Sequence, residues 1–232
     1  MTNEEALDVV FNFIHPSILE QLKAEGAYTD ILSGKIKTGA EVYDYIDEQH
    51  ASLQDADYTS LVNTLKADFN AGSLLQIGCG RGDFLLRCAN IGHSPIYGID
   101  RSSVMLDEAK YKLRNNQNAN LYLEKIENFD FSKLNEINNV ILNNFWGMVD
   151  EKSSIDLLNN IKKCLTPDAK IFIGTYSDNA ISPQRQKADI TLKNNLNFLF
   201  SFGFFKDFDQ CRYDSKTIDI GNEKYFILTL KP

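Results

Sequence analysis

The segment LLQIGCGRGDFLL, residues 74–86, constrains the fold of this chain more than any other feature. An apolar run leads into three glycines, Gly78, Gly80 and Gly82, and an apolar pattern with helical spacing follows them. Glycine permits a tight turn and lets a ligand approach the backbone, and the helix that follows offers free N–H groups at its start. The segment therefore predicts a strand, a ligand-binding turn and a helix, in that order.

From residue 71 onward, short apolar runs alternate with helical patterns. The predicted strands are SLLQIG, PIYGID, NLYLE, NNVILNN, KIFIGTY, FGFFKDF and KYFILTL. Strict alternation of strands and helices predicts a Rossmann-like α/β fold with a doubly wound, mostly parallel sheet of seven strands. The last two strands, between Phe204 and Leu230, leave no room for a helix, so we expect them to form an antiparallel hairpin at one edge.

Two predicted helices of this region have an apolar face. Ser102 or Ser103 can cap a helix that carries Met105, Ala109 and Leu113 on one side. A second helix starts near Ser153, and the segment TPD ends it. Its predicted apolar positions are Ile155, Leu158, Ile161 and Leu165.

Residues 1–70 differ from the remainder because they contain helical patterns and no convincing strand. The clearest pattern is DYTSLVNTLKADF, in which apolar residues from Tyr58 to Phe69 recur at helical spacing. We therefore expect a helical N-terminal cap in residues 1–70 and a ligand-binding core in residues 71–232.

Charge and cysteine usage exclude several classes of function. The net charge is −8 and no block of basic residues is present, which disfavours a nucleic-acid partner. The four cysteines are far apart, so neither a zinc site nor a disulfide framework is expected, and the cytoplasm is the predicted compartment. No apolar run approaches the roughly 20 residues of a membrane span. The acidic start, MTNEEALDVV, does not resemble a signal peptide.

The carboxylate that ends the second predicted strand narrows the ligand class. Asp100 follows Gly78 by 22 positions, where a carboxylate can accept hydrogen bonds from ribose hydroxyls. A dinucleotide turn has the spacing G-x-G-x-x-G, whereas here the third glycine comes one residue early. Asp83 occupies the position of the missing glycine, and we expect its charge to disfavour a pyrophosphate. A ligand with an amino-acid end and a nucleoside end is favoured over NAD.

These motifs resemble those of the class I S-adenosylmethionine-dependent methyltransferases. LLQIGCGRGDF is similar to their first motif and IYGIDRSSVMLDEA to their second, and residues 140–176 resemble their fourth strand, next helix and fifth strand. VYDYIDEQHASLQDADYTSLVNTL resembles the lid helix of small-molecule members. The resemblance implies S-adenosylmethionine as cofactor and methyl transfer to an oxygen or nitrogen by in-line displacement.

The resemblance also implies a set of cofactor contacts. Two positions depart from the family pattern: Gln76 replaces an acid that faces the cofactor's amino group, and Lys125 replaces an acid near the adenine. We expect Gln76 to weaken cofactor affinity, because an amide lacks the charge assistance of a carboxylate. The predicted cofactor-binding residues are Gln76, Gly78, Cys79, Gly80, Gly82, Asp100, Arg101, Ser102, Met105, Lys125, Ile126, Asn143 and Asn144.

The candidates for contact with the substrate are His50, Tyr43 and Trp146. His50 could act as a base or lie at an exposed helix end, and Tyr43 could face the sulfonium or pack in a helix. Trp146 follows the fourth predicted strand, where it would border the substrate or fill the core. Methyl transfer does not require a dedicated base, so these alternatives stay open.

The sequence thus predicts a cytoplasmic methyltransferase acting on a small-molecule acceptor, as a monomer or homodimer without metal, membrane or nucleic acid. Three alternatives remain. One is a nucleic-acid or protein methyltransferase, and the segment NNFW weakly resembles a motif of base-modifying members. Another is a catalytically inactive subunit that binds the cofactor. The third is an oxidoreductase that uses NAD.

Overall fold

A computed structural model describes residues 29–30, 33, 35, 58–134, 136–143, 151–176, 213–220 and 223–230 of the chain. The helices in these ranges are α1 (Thr59–Leu65), α2 (Asp83–Asn90), α3 (Ser103–Leu113) and α4 (Glu151–Ile161). The strands are β1 (Leu74–Ile77), β2 (Ile96–Asp100), β3 (Ala119–Leu123), β4 (Ile137–Asn143), β5 (Leu165–Tyr176), β6 (Tyr213–Ile220) and β7 (Glu223–Leu230). None of the helices in the described ranges is long and apolar enough to cross a membrane.

One sheet organises the described part of the chain, with strand order β3-β2-β1-β4-β5-β7-β6. Strands β1 to β5 pair in parallel, and β7 pairs antiparallel with both β5 and β6. The strand order reverses between β2 and β4 on either side of β1, so the crevice at the carboxyl end of β1 is the expected ligand site. The predicted doubly wound parallel α/β arrangement is confirmed.

Two hydrophobic layers cover the sheet. Leu75 and Ile77 of β1 lie in a cluster with the buried residues of α4, whereas Leu74 lies in a cluster with α1, α2 and α3. All four β1 side chains are buried, as expected for the central strand of a sheet covered on both faces. β3 is an edge strand of the sheet, and its side chains are only half-buried or exposed.

Two predicted details differ from the structure, and one irregularity of the sheet was not predicted. α3 buries Leu106, Ala109 and Leu113, and Met105 is half-buried at the border of this stripe. α4 ends at Ile161 and a 3-10 turn covers Lys162–Cys164, so Leu165 begins β5 instead of ending the helix. The pairing of β4 with β5 shifts between Ile137 and Asn139, beside Thr166–Ala169, because Pro167 has no N–H for a regular ladder.

The described residues cover only part of what was predicted for the two ends of the chain. The strand that pairs with β7 is Tyr213–Ile220, which the sequence did not indicate, and FGFFKDF lies outside the described residues. Most of the predicted cap, residues 1–70, also lies outside them. Its described end, α1, packs into the same cluster as α2 and α3, and the Tyr58 ring meets Phe84 edge-on at 5.7 Å.

Candidate active site

The glycine turn connects β1 to α2 at the carboxyl edge of the sheet. Gly78, Gly80 and Gly82 all have positive φ angles, of 69°, 50° and 77°. The N–H groups of Gly78 and Cys79 both donate to the carbonyl oxygen of Ile99, at 2.9 and 3.1 Å, which anchors the turn to β2. Residues other than glycine rarely adopt these φ values, so the backbone conformation of this turn strongly favours glycine at all three positions.

The three glycines nevertheless have different surroundings. A Cβ atom added at Gly80 would meet nothing within 4 Å, and Gly78 is exposed. A Cβ atom at Gly82 would lie 2.9 Å from the Cβ of Ala109 and 3.1 Å from its Cα. Gly78 and Gly80 therefore leave open space for a ligand, whereas Gly82 allows the turn to pack against α3.

Asp100 joins the glycine turn to the start of α3. Its Oδ2 accepts a hydrogen bond from the Gly80 N–H at 2.7 Å, and its Oδ1 accepts one from the Ser102 N–H at 2.9 Å. The Ser102 hydroxyl in turn accepts from the Met105 N–H at 3.3 Å and caps α3, as predicted. Each carboxylate oxygen has a second lone pair, so the half-buried Asp100 keeps acceptor capacity for ligand hydroxyls.

Gln76 carries an unsatisfied acceptor next to the turn. Its side chain is 4% exposed, and its Oε1 is buried without a hydrogen-bond partner. It lies between Gly98 of β2 and Ile141 of β4 in the sheet register, two residues before Gly78. An unpaired buried acceptor costs about 1–3 kcal/mol, so a donor from a bound ligand would relieve this cost.

Two ion pairs connect the turn to α3. The Arg81 guanidinium contacts Oε2 of Glu108 through Nη2 at 2.5 Å and Nε at 2.6 Å. Lys112 Nζ lies 2.5 Å from Oδ1 of Asp83. Asp83 is therefore paired with Lys112 of α3, and this pairing weakens the argument that its charge disfavours a pyrophosphate. Sequence reasoning missed Glu108 and Lys112, although their spacing of four along a helix was a usable signal.

The end of β3 borders the same edge. The Glu124 N–H donates to the backbone oxygen of Asp100 at 2.9 Å, and the Lys125 N–H contacts Oε1 of Glu124 at 3.2 Å. The Lys125 side chain is exposed, whereas Ile126 is half-buried against the α4 side of the core. Two acids flank the predicted adenine position in the sequence, Glu124 directly before Lys125 and Glu127 directly after Ile126.

The other predicted residues are only partly described. Arg101 is half-buried beside Asp100, and Asn143 is half-buried at the end of β4. Asn144, His50, Tyr43 and Trp146 lie outside the described residues. The structure thus brings together the predicted residues of the glycine turn and of the ends of β2 and β4. It does not test the three residues predicted to contact the substrate.

The cysteine of the turn is poorly suited to act as a nucleophile. Its thiol is buried, and burial together with the negative charge of Asp100 raises the pKa of Cys79 far above its usual range. A thiol with a raised pKa is protonated at neutral pH and reacts poorly. Among the described residues, no group of three His, Cys, Asp or Glu side chains is placed to hold a metal ion.

These residues fit a ligand that has an amino-acid end and a nucleoside end. The open space at Gly80 admits close approach, Gln76 Oε1 needs a donor, and Asp100 has acceptor capacity for hydroxyls. S-adenosylmethionine carries an ammonium group and two ribose hydroxyls, which supply those donors. When bound, it supplies an electrophilic methyl group on a sulfonium.

Comparison with known proteins agrees with this geometry. Residues 74–168 match the family model of a methyltransferase domain. A malonyl-[acyl-carrier protein] O-methyltransferase from Ilyobacter polytropus is 24% identical over 190 residues, which are 82% of this chain and 68% of that protein.

Solved structures show the same fold. A proposed O-methyltransferase from Nostoc punctiforme has a TM-score of 0.63 and 18% identity over 81% of this chain, which spans 60% of that protein. The N-methyltransferase NodS from Bradyrhizobium japonicum, in complex with S-adenosyl-L-homocysteine, has a TM-score of 0.58 and 12% identity. That match covers 80% of this chain and 97% of NodS. Residues 74–168, which include the glycine turn and Asp100, thus form a methyltransferase domain, and the chain is similar to the class I S-adenosylmethionine-dependent methyltransferases.

Proposed function

We propose that the protein transfers the methyl group of S-adenosylmethionine to an oxygen or nitrogen of a small metabolite. The observation that carries this proposal is the open space at Gly80 beside the Asp100 carboxylate, at the point where the strand order reverses. The resemblance of residues 42–65 to a family lid helix favours a small acceptor, since a helical cap would close a pocket over it.

The cofactor would lie across the ends of β1, β2 and β3. In this proposal the backbone of Gly78, Cys79 and Gly80 borders its methionine portion, and Gln76 Oε1 accepts from its ammonium group. Asp100 accepts from the ribose hydroxyls. The remaining proposed contacts are Arg101, Ser102 and Met105 beside the adenosine, Lys125 and Ile126 beside the adenine, and Asn143 and Asn144 at the end of β4.

The chemical step needs positioning more than acid–base chemistry. In this proposal a lone pair of the acceptor would form the new bond to the methyl carbon, and the electrons of the broken carbon–sulfur bond would return to sulfur. The acceptor's proton leaves to a base or to water. His50 is the proposed base, and Tyr43 and Trp146 are proposed walls of the acceptor pocket.

Oxygen is the favoured acceptor atom. The curated relative is an O-methyltransferase of a malonyl group on a carrier protein. The carrier-bound substrate of that relative also keeps a protein-linked acceptor open as the second candidate. The scattered cysteines favour the cytoplasm, where the protein would act as a monomer or homodimer.

The first test is calorimetric titration with S-adenosylhomocysteine. We expect wild type to bind and Asp100→Asn to bind about 10- to 100-fold more weakly, since hydrogen bonds to a charged acceptor contribute about 1.5–3 kcal/mol. Asp130→Asn is the matched control, because Asp130 also accepts a backbone N–H, from Ser132, but in the loop that leads to β4. Absence of heat and of thermal shift with wild type at millimolar ligand would contradict the proposal.

The acceptor is tested with radiolabelled methyl donor and fractionated metabolites. Transfer into a small-molecule fraction supports the proposal. Transfer only to protein or nucleic-acid fractions would establish a macromolecular acceptor. Cofactor binding without transfer to any fraction would identify a catalytically inactive subunit.

A further inference from the structure

Charged residues of the glycine turn lie opposite residues of the opposite charge on α3. Arg81 and Asp83 lie on either side of Gly82 in the turn, and Glu108 and Lys112 lie one helical turn apart on α3. Glu and Lys four residues apart on a helix commonly pair with each other. Here each of them pairs with the turn instead, Glu108 with Arg81 and Lys112 with Asp83.

These pairs are shielded from water to different degrees. Asp83 and Lys112 side chains are both 13% exposed, and those of Arg81 and Glu108 are 16% and 31% exposed. Surface ion pairs contribute little because water and salt screen them, whereas partly buried pairs retain more of their interaction. If the two pairs exchanged partners, Arg81 would face Lys112 and Asp83 would face Glu108, and both contacts would be repulsive. The charges therefore favour one position of the turn on the helix.

Between the two pairs, the backbone of the turn lies against α3 at Gly82. A Cβ there would lie 2.9 Å from that of Ala109, the residue after Glu108. The turn is thus held by a backbone contact in the middle and by an ion pair on each side. Gly80, whose N–H donates to Asp100, belongs to the same turn, so its position depends on these contacts.

We infer that Glu108 and Lys112 are positioning residues for the cofactor, acting through the turn without touching the ligand. This inference rests on the proposed cofactor site around Gly80 and Asp100. Displacement of a binding backbone by a fraction of an ångström weakens a preorganised site. Loss of either ion pair therefore lowers cofactor affinity while the protein stays folded.

The experiment measures the dissociation constant of S-adenosylhomocysteine by calorimetry together with the melting temperature. We expect Glu108→Gln and Lys112→Met each to weaken binding about fivefold to tenfold. The matched control is Asp107→Asn, which breaks the Asp107–Lys110 pair on the same helix. That pair has a separation of 2.9 Å and exposures of 72% and 54%, and it does not contact the turn. We expect the control to bind as wild type does.

Charge reversal separates positioning from general stability. Arg81→Glu alone places two carboxylates together and should bind weakly, and the double variant Arg81→Glu/Glu108→Arg should regain most of the lost affinity. A lower melting temperature with unchanged affinity of the folded protein in both single neutral variants would overturn the inference. So would a double variant that binds no better than Arg81→Glu. Failure of wild type to bind would instead overturn the proposed function.

Discussion

The two ends of the parallel strands, called here the amino edge and the carboxyl edge of the sheet, differ in how their polar groups are paired. At the amino edge, the side chains of Ser73, Asn138 and Asn139 are hydrogen-bonded to backbone groups of neighbouring strands and loops. At the carboxyl edge, the turn leaves space beside Gly80 and an acceptor of Gln76 without a partner. The named polar side chains of the amino edge are paired within the protein, whereas the carboxyl edge has space and an unpaired acceptor that a ligand could use.

At the amino edge, the buried polar side chains of Ser73 and Asn139 are fully hydrogen-bonded. Asn139 is fully buried; its Oδ1 accepts from the Asn70 N–H at 2.9 Å, and its Nδ2 donates to the Asn70 and Ser73 oxygens at 2.8 and 3.2 Å. Ser73 Oγ donates to the Glu136 oxygen at 2.7 Å and accepts from the Asn138 N–H at 3.0 Å. Unsatisfied polar groups at the carboxyl edge therefore reflect a local difference and not a general looseness of the fold.

The largest expected effect is at the amino edge. Asn139→Leu would leave the N–H and the carbonyl oxygen of Asn70 without their partner, whereas the Ser73 oxygen keeps the backbone N–H of residue 139. We expect a loss of about 3–5 kcal/mol in the free energy of unfolding. Urea denaturation followed by circular dichroism measures it. Asn120→Ala is the matched control, since Asn120 is exposed on β3 and its Nδ2 makes one local contact, to Asn118. Equal stability of the two variants would show that the amino-edge contacts do not stabilise the fold.

The next effect distinguishes two glycines of one turn. Gly82→Ala combines a positive φ with a clash against Ala109, so we expect it to lose about 2–4 kcal/mol of stability. Gly80→Ala has the same type of backbone conformation but no clash, so its cost should be limited to about 1–2 kcal/mol. Thermal denaturation measures both changes.

Ligand binding provides the complementary measurement on Gly80→Ala. Its new methyl group enters the space proposed for the cofactor. We therefore expect the loss in the free energy of binding S-adenosylhomocysteine, measured by calorimetry, to exceed the loss in the free energy of unfolding. If Gly80→Ala binds as wild type does, the ligand does not approach the backbone at Gly80.

The sequence predicted the order of elements at the centre of the sheet but not these differences. Strand β1, the turn and Asp100 are local signals, because apolar runs, glycines and a terminal carboxylate mark them directly. The partner of Gly82 is Ala109, 27 positions later, and no local pattern connects them. Likewise NNVILNN predicted a strand, but no local pattern connected Asn138 and Asn139 with residues 70–73. Long-range contacts decided which glycine packs and which asparagine stabilises.

A pH-dependent effect is expected at the amino edge. His93 is buried there, its Nδ1 lies 3.2 Å from the Gly72 oxygen, and the Phe69 ring contacts it edge-on. Burial lowers the pKa of His93 below its usual value of 6.5. The unfolded chain therefore binds a proton at a higher pH than the native protein does. The contribution of the neutral His93 to the free energy of unfolding is complete above pH 6.5. Below that pH it decreases by no more than about 1.4 kcal/mol per pH unit.

The measurement compares wild type with His93→Gln in urea at pH 7.5 and pH 5.5. We expect the variant to lose less stability on acidification than wild type does, because it has no group to titrate at that position. The carboxylates titrate in both proteins, so the difference between the two isolates His93. An identical pH dependence would contradict this assignment.

The smallest expected effect is at the unsatisfied acceptor of the carboxyl edge, and it tests whether that acceptor serves a ligand. Gln76→Glu would place a charge beside the proposed ammonium group. A charge-assisted hydrogen bond is about twice as strong as a neutral one, so we expect about fivefold tighter binding of S-adenosylhomocysteine. The free variant should be less stable than wild type, because a buried carboxylate without a partner is costly. Gln76→Leu is similar in size but has no acceptor, so it should bind more weakly and be no less stable without ligand. Calorimetry and thermal denaturation measure both quantities. If all three proteins bind equally, Gln76 Oε1 does not face the ammonium group, and the contrast between the two edges then reflects packing alone.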